Sequence, residues 1–105
     1  MADSIKVQAL ADQLAANSDI TLLDVRRKAD FDQAPKKIKG ARWHDPEVLA
    51  EWMDAVPKDR NVVVYCVKGG SVSQSVTETL AGQGCRVHYL EGGLKAWREA
   101  GGSVT

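Results

Sequence analysis

An uninterrupted apolar run, Val62 to Cys66, constrains the fold of this chain more than any other feature. A strand with one solvent-exposed face alternates between apolar and polar residues, whereas a parallel strand covered on both faces does not. The run therefore predicts a central strand of a parallel sheet. Two further segments, Ile20–Val25 and Arg86–Leu90, also predict strands, and short stretches at Ile5 and Ala41–Trp43 are candidates for edge strands.

Helical patterns occupy the segments between these strands. Apolar residues recur there every three to four positions, which is the spacing of an amphipathic helix. The predicted helices are an N-terminal one containing Leu10 and Leu14, one that begins at Asp45 and ends before Pro57, one over residues 71–81 with Val72, Val76, Thr79 and Leu80 on its apolar face, and one between Gly92-Gly93 and Gly101-Gly102. Strands that alternate with helices predict an α/β fold with a parallel sheet. A chain of 105 residues suits one domain, residues 1–105.

Charge and composition exclude several classes of function. The 14 basic and 14 acidic residues cancel, so the chain lacks the overall positive charge typical of nucleic-acid binding. No apolar run reaches the roughly 18 residues of a membrane span. The start, Met1–Lys6, lacks the apolar core of a secretory signal, so we expect a cytoplasmic protein without membrane contact. Two cysteines are too few for a disulfide scaffold or a four-cysteine zinc site, and we expect no metal and no cofactor.

Cys66 ends the central strand and is followed by a glycine-containing loop and a helix. Ligands of α/β folds bind beyond the carboxyl ends of parallel strands, which is where this order of elements places Cys66. Ser71 and Gln74 match the S-x-x-Q capping box, which predicts that the helix begins directly after the loop. The positive end of that helix and the charge of Lys68 would both favour a thiolate, which is the nucleophilic form of cysteine.

The order of strand, loop and helix carries the functional prediction, because a cysteine at the end of a core strand is most often a packing residue. On that order we predict Cys66 as the catalytic nucleophile. The predicted substrate-binding residues are those that follow it: Val67, Lys68, Gly69, Gly70, Ser71 and Val72. Cys85 precedes a strand, at the opposite end of the sheet, and is predicted to be a small buried apolar residue rather than a disulfide partner.

A basic segment runs from Arg26 to Arg42, with seven basic residues against Asp30 and Asp32, a balance of +5. The simpler interpretation of this segment is a solvated surface. The functional interpretation is an electropositive rim that steers an anionic substrate or a protein acceptor towards the loop. The two histidines of the chain lack the spacing of metal ligands, so we predict surface or packing positions for them.

Four segments, taken in order along the chain, make the sequence similar to the single-domain rhodaneses, a family of sulfurtransferases. They are Leu22–Arg26 (LLDVR), which resembles the family's early D-V-R strand; Ile38–Trp43 (IKGARW), which resembles its H-I-P-G-A segment; Cys66–Gly69 (CVKG), which resembles its active-site loop; and Tyr89–Trp97 (YLEGGLKAW), which resembles its closing L-x-G-G-hydrophobic-x-x-W motif. Each motif alone has low specificity, but all four in this order form a strong signal, and the resemblance extends over nearly the whole chain.

The resemblance implies a rhodanese-like three-layer fold, with a central five-stranded parallel sheet flanked by helices. It also implies that Cys66 takes a sulfane sulfur from a small anionic donor such as thiosulfate, or from a persulfide donor, and holds it as a persulfide. A thiophilic acceptor, either cyanide or a thiol, including the thiol of a partner protein, would then remove the sulfur in a ping-pong reaction. By the same resemblance, Asp24 and Arg26 support the end of the sheet and its loops rather than take part in catalysis.

The active-site loop departs from the family pattern at two positions. Many single-domain relatives carry Arg five residues after the cysteine and Ser one residue later, where this chain has Ser71 and Val72. Related phosphatases and arsenate reductases use a longer Cys-x₅-Arg loop, but the sixth position after Cys66 is Val72, which has no guanidinium to grip a phosphate group. Three functions therefore stay open: a sulfurtransferase, which we favour, a phosphatase-like or arsenate-reductase-like enzyme, and a non-catalytic persulfide carrier or protein-docking module.

Overall fold

The structure of the protein, a computed structural model, describes residues 2–16 and 19–105. The predicted domain, residues 1–105, also includes Met1, Asn17 and Ser18, which lie outside the described residues. In the described part of the chain, one sheet contains β1 (Ser4–Ile5), β2 (Ile20–Asp24), β3 (Arg42–Trp43), β4 (Asn61–Tyr65) and β5 (Arg86–Leu90). Their order across the sheet is β1-β5-β4-β2-β3, and every neighbouring pair is parallel, which confirms the predicted α/β fold with a five-stranded parallel sheet.

Helices connect the strands and cover both faces of the sheet. They are α1 (Val7–Ala15), α2 (Lys28–Gln33), α3 (Leu49–Trp52), α4 (Ser71–Gly82) and α5 (Gly93–Glu99), with 3₁₀ turns at Pro46–Val48 and Met53–Ala55 on either side of α3. Within residues 2–16 and 19–105, no helix has the length and apolarity that crossing a membrane requires.

The central strand β4 contributes to the core on both of its faces. Val63 belongs to an apolar cluster on one face of the sheet, together with Trp97 of α5. Val64 belongs to a second cluster on the other face, together with Leu80 of α4. Each fully buried side chain of this size stabilises the fold by about 1.5–3 kcal/mol. The unbroken apolar run in the sequence is therefore the direct result of a strand that is covered by helices on both sides.

The main departures from the sequence prediction are in the helices. The pattern did not predict α2, and the helix expected after Asp45 is divided into two 3₁₀ turns and the short α3. The carboxylate of Asp45 does cap this segment, since it accepts a hydrogen bond from the Glu47 amide at 2.9 Å. Thr79 was predicted to face the core, but it is exposed, and its hydroxyl donates to the Ser75 carbonyl at 3.1 Å.

The buried face of α4 is rotated relative to the predicted one. Its buried residues are Ser73, Val76, Thr77 and Leu80, which follow the i, i+3, i+4, i+7 spacing of one helix face. Two of the four, Ser73 and Thr77, are polar residues, and the predicted face included neither of them. The rotation is important for the site, because it turns Ser73 towards the interior at the end of β4.

Candidate active site

Cys66 is the first residue after β4, at the carboxyl edge of the sheet, as the order of elements predicted. The residue is 7% exposed and its thiol is free. Cys85 is also free, but it lies before β5, at the amino edge, and packs in the apolar cluster with Leu80. The prediction that Cys85 is a buried apolar residue without a disulfide is therefore confirmed.

The first turn of α5 holds the backbone of the Cys66 loop. The Leu94 amide donates to the Cys66 carbonyl at 2.9 Å, and the Lys95 amide donates to the Val67 carbonyl at 3.0 Å. Amides in the first turn of a helix have no partner within the helix itself, so the two loop carbonyls satisfy them. The loop and α5 are thus fixed to each other through their main chains.

The contact between the loop and α5 has room for glycine only. A Cβ atom on Gly93 would lie 2.5 Å from the Cys66 carbonyl oxygen and 2.7 Å from the Gly69 nitrogen, and the φ angle of Gly93 is +59°. Gly69 has a φ of +72°, and its Cβ would lie 2.8 Å from the Gly92 nitrogen. Left-handed backbone without a Cβ is available at little cost only to glycine. The glycine pair of the closing motif therefore shapes the cysteine loop.

The predicted capping box at the start of α4 is wrong. The helix begins at Ser71, so Gly70 is the N-cap residue and no side chain caps it. The motif requires Ser71 to precede the helix, but here Ser71 is already its first residue. The Gln74 side chain instead donates to the Gly69 carbonyl at 3.1 Å, which adds a second support to the loop.

Ser73 places a hydroxyl beside the sulfur of Cys66. Its Oγ lies 3.2 Å from the Cys66 Sγ and 3.3 Å from the Gly70 carbonyl oxygen, and the residue is 0% exposed. The sequence prediction did not include Ser73. The signal that could have found it is the helical spacing from Ser73 to Leu80, which includes this serine in the buried face of α4.

A surface pocket of about 380 Å³ contains Cys66 in its wall. Six of the seven predicted site residues line this pocket: Cys66, Val67, Lys68, Gly70, Ser71 and Val72. The seventh, Gly69, is packed against Gly92 instead. The pocket is completed by Arg26, Arg27 and Asp30 from the segment that follows β2, which the sequence prediction did not assign to the site.

The loop presents unpaired donors and positive charge. In the part of the chain that the structure describes, the amides of residues 67–70 donate to no protein acceptor. Neither Arg27 nor Lys68 forms an ion pair with a described acidic residue. Unpaired amides next to a helix N-terminus, together with free cations, favour an anion. The pocket therefore has the electrostatics of a site for a small anionic substrate.

Arg26 lines the pocket, but the charge of its guanidinium is already compensated. It forms an ion pair with Asp24 at 2.7 Å, both side chains are at most 2% exposed, and Nη1 donates to the Ala34 carbonyl at 2.7 Å. The Tyr65 hydroxyl donates to Asp24 Oδ2 and accepts from the Ile38 amide, each at 3.1 Å. Burial, followed by the charge of Asp24, raises the pKa of Tyr65 well above its usual range. This network supports the end of the sheet and its loops.

The basic segment that follows β2 is less positive than its composition suggests. Arg26 is neutralised by Asp24, and Lys28 forms an ion pair with Asp32 at 2.7 Å. Of its cations, only Arg26 and Arg27 line the pocket of Cys66. The predicted electropositive rim is therefore limited, at this pocket, to Arg27 from this segment and Lys68 from the loop.

Comparison with known proteins gives consistent results. A sequence profile of the family described as Rhodanese-like domain matches residues 6–100. A sulfurtransferase of Allochromatium vinosum is 34% identical over 102 residues, which cover 96% of this chain and 92% of the relative. The thiosulfate sulfurtransferase GlpE of Coxiella burnetii is 33% identical over 87 residues, which cover 82% and 78%. A solved structure of a rhodanese-related protein from Thermoplasma volcanium is similar with a TM-score of 0.84 and 26% identity, over 98% of this chain and 97% of that one.

Proposed function

This chain belongs to the rhodanese-like domain family, and on that premise we propose that it transfers a sulfane sulfur from thiosulfate or a persulfide donor to a thiophilic acceptor through a persulfide on Cys66. The family and its curated relatives support sulfurtransferase activity in general. The observation that carries the persulfide proposal is the position of Cys66, a free thiol in the wall of a pocket. Among the described residues, the loop amides at this pocket have no protein acceptor, and Arg27 and Lys68 have no ion-pair partner.

The proposed reaction has two displacement steps. The Cys66 thiolate attacks the outer sulfur of thiosulfate, a bond forms between the two sulfur atoms, and sulfite leaves with the electron pair of the thiosulfate S–S bond. Cyanide, or the thiolate of an acceptor, then attacks the outer sulfur of the persulfide. The Cys66 sulfur leaves with the electron pair, so thiocyanate or an acceptor persulfide is released and the thiolate is restored.

The loop residues have distinct roles in this proposal. The amides of Val67, Lys68 and Gly70, which line the pocket, would donate to the negative charge of the donor and then to the anionic outer sulfur of the persulfide. The ammonium of Lys68 would attract the anionic donor. Ser71 and Val72 form the wall of the pocket at the start of α4, and Gly69 lets the loop approach α5 closely enough to keep its shape.

A phosphatase-like or arsenate-reductase-like activity is the alternative in the same pocket. Such enzymes need a guanidinium that holds two or three oxygens of the tetrahedral anion. Position six of the loop is Val72, and the nearby Arg26 is committed to Asp24 and to main-chain carbonyls. Arg27 also lines the pocket, but it comes from the segment after β2 and does not occupy the loop position of the Cys-x₅-Arg guanidinium. The available donors therefore suit a sulfur anion better than a phosphoryl dianion.

The intact mass of the protein after incubation with thiosulfate tests the proposal. We expect an addition of about 32 Da, one sulfur atom, which cyanide removes. Cys66→Ser should lose the addition, whereas Cys85→Ser, a matched change at the other free thiol, should keep it. An addition that persists in Cys66→Ser and maps to Cys85 would refute the assignment.

Turnover separates the three candidate functions. A sulfurtransferase should produce many equivalents of thiocyanate per Cys66 and should not cleave aryl phosphates. A carrier or docking module would accept one sulfur without repeated turnover. Cleavage of an aryl phosphate that depends on Cys66, in a protein that ignores thiosulfate, would instead establish the phosphatase alternative.

A further inference from the structure

The hydroxyl of Ser73 has a choice of two hydrogen-bond acceptors. Ser73 Oγ lies 3.2 Å from the Cys66 Sγ and 3.3 Å from the Gly70 carbonyl oxygen, and it is shielded completely from solvent. A hydroxyl has a single hydrogen to donate and rotates freely to suit its partners. With a protonated thiol, Cys66 donates to Ser73, and Ser73 in turn donates to Gly70.

The Gly70 carbonyl does not depend on Ser73. It also accepts a hydrogen bond from the Gln74 amide at 3.2 Å, which is the first helical bond of α4. The Ser73 hydroxyl can therefore turn away from Gly70 without leaving a buried acceptor unpaired, which would otherwise destabilise the rotated state. When Cys66 loses its proton to solvent, the sulfur changes from a donor into a charged acceptor, and the hydroxyl can turn to it.

We propose that Ser73 is a positioning residue that stabilises the Cys66 thiolate by donating a hydrogen bond to Sγ. This inference rests on the proposed function, in which that thiolate is the nucleophile. A hydrogen bond to a charged acceptor is about twice as strong as one between neutral groups. The interaction is therefore strongest in the sulfur-free enzyme and weaker in the persulfide, where the charge lies on the outer sulfur.

The hydrogen bond from Ser73 affects both the loading of sulfur onto Cys66 and its release. Before sulfur is loaded, the hydrogen bond stabilises the charged sulfur that attacks the donor. When the persulfide is discharged, Cys66 Sγ is the leaving group, and a donor already in place stabilises the charge that develops on it. Ser73 should thus favour the thiolate that takes up sulfur and speed release of the sulfur to the acceptor.

Alkylation of Cys66 by iodoacetamide between pH 5 and 10, followed by intact mass, measures the ionised thiol directly. The experiment uses the full chain with Cys85→Ala, so that Cys66 is the thiol that iodoacetamide alkylates. Ser73→Ala removes only the hydroxyl, and Ser75→Ala makes the same change at an exposed position of the same helix. For Ser73→Ala we expect the midpoint of the pH profile to move up by about one unit, with about tenfold slower alkylation below the midpoint. Ser75→Ala should leave the profile unchanged.

Discharge of the persulfide provides the second measurement. Preloaded Ser73→Ala should transfer its sulfur to cyanide about tenfold more slowly than the parent, also at pH values where alkylation of both proteins has reached its plateau. Coincident alkylation profiles for the parent and Ser73→Ala, or an equal shift in Ser75→Ala, would overturn the inference. If the parent takes no sulfur from thiosulfate or from a persulfide donor, the proposed function fails, while the alkylation profiles still decide the role of Ser73.

Discussion

The contact of Gly93 with the cysteine loop predicts that Gly93→Ala disrupts the active site and destabilises the fold. Gly93 has a φ of +59°, and its Cβ would lie 2.5 Å from the Cys66 carbonyl oxygen and 2.8 Å from the Lys68 nitrogen. The three nearest atoms are all backbone atoms, so the contact cannot be relieved by the movement of a flexible side chain. The first turn of α5 and the loop would have to separate.

Two contributions set the expected loss of stability. A left-handed backbone costs an alanine about 1–2 kcal/mol. Separation of the loop from α5 also breaks the bonds from the Leu94 and Lys95 amides to the loop carbonyls, each worth about 0.5–1.5 kcal/mol. We therefore expect the free energy of unfolding to fall by about 2–5 kcal/mol, and the midpoint of thermal unfolding by about 10–25 °C.

Urea unfolding and the rate of persulfide formation on thiosulfate measure the two effects. Gly101→Ala is the matched control, because Gly101 has a φ of +82° but no atom within 4 Å of its Cβ position. The free energy of unfolding of Gly101→Ala should fall only by the cost of the left-handed backbone, about 1–2 kcal/mol, and the variant should keep its activity. Gly82→Ala, within α4 and in open space, should be neutral or stabilising by up to about 1 kcal/mol. If Gly93→Ala were as stable and as active as Gly101→Ala, the close contact would not hold the loop.

Two further predictions concern charge and pH. Lys68→Ala should lower kcat/KM for thiosulfate about two- to fivefold at low salt and less at high salt, with little change for an uncharged persulfide donor. Lys58→Ala, at the amino edge of the sheet, makes the same change in net charge and should have no effect; equal losses in both would mean that Lys68 does not act at the pocket. Tyr65→Phe should cost about 1–3 kcal/mol at pH 7, since it leaves the Ile38 amide unpaired. Because the pKa of Tyr65 is raised in the folded state, the native protein keeps a proton that the unfolded chain loses above about pH 10. Urea midpoints should therefore decline with pH above 10 more steeply in the parent than in Tyr65→Phe, and parallel declines would contradict this assignment.

The strands were predictable because their pattern is local. The run from Val62 to Tyr65 is apolar at every position, and both faces of β4 are indeed covered. Helix α2, which the sequence did not predict, has no such pattern, because Phe31 is its single large apolar residue. Its position depends on contacts from outside the helix, including the stacking of Phe31 on Trp43 at 4.8 Å between ring centroids. Tertiary contacts of this kind leave no periodic trace in the sequence.

The part of the site that is contiguous in sequence was predictable, whereas the residues contributed by distant segments were not. The strand, loop and helix around Cys66 follow one another in the sequence, so six of the predicted residues line one pocket. The support from Leu94 and the contribution of Arg27 come from other parts of the chain, and only the folded sheet brings them to the loop. Ser73 lies at helical spacing from Val76 and Leu80, so its burial could have been predicted from the sequence. The predicted buried face of α4 did not include it, because that face is rotated relative to the observed one.

The sheet order has a consequence for synthesis on the ribosome. β1, the first strand to emerge, pairs with β5, which is the last strand to be made. Until residues 86–90 have left the ribosome, β1 has no neighbour and one edge of β4 is open, although β4 is apolar on both faces. Open edges on apolar strands are sites of aggregation. A nascent chain that stalls before β5 should therefore depend on chaperones, and slow translation of the segment that contains β5 should reduce the yield of folded protein.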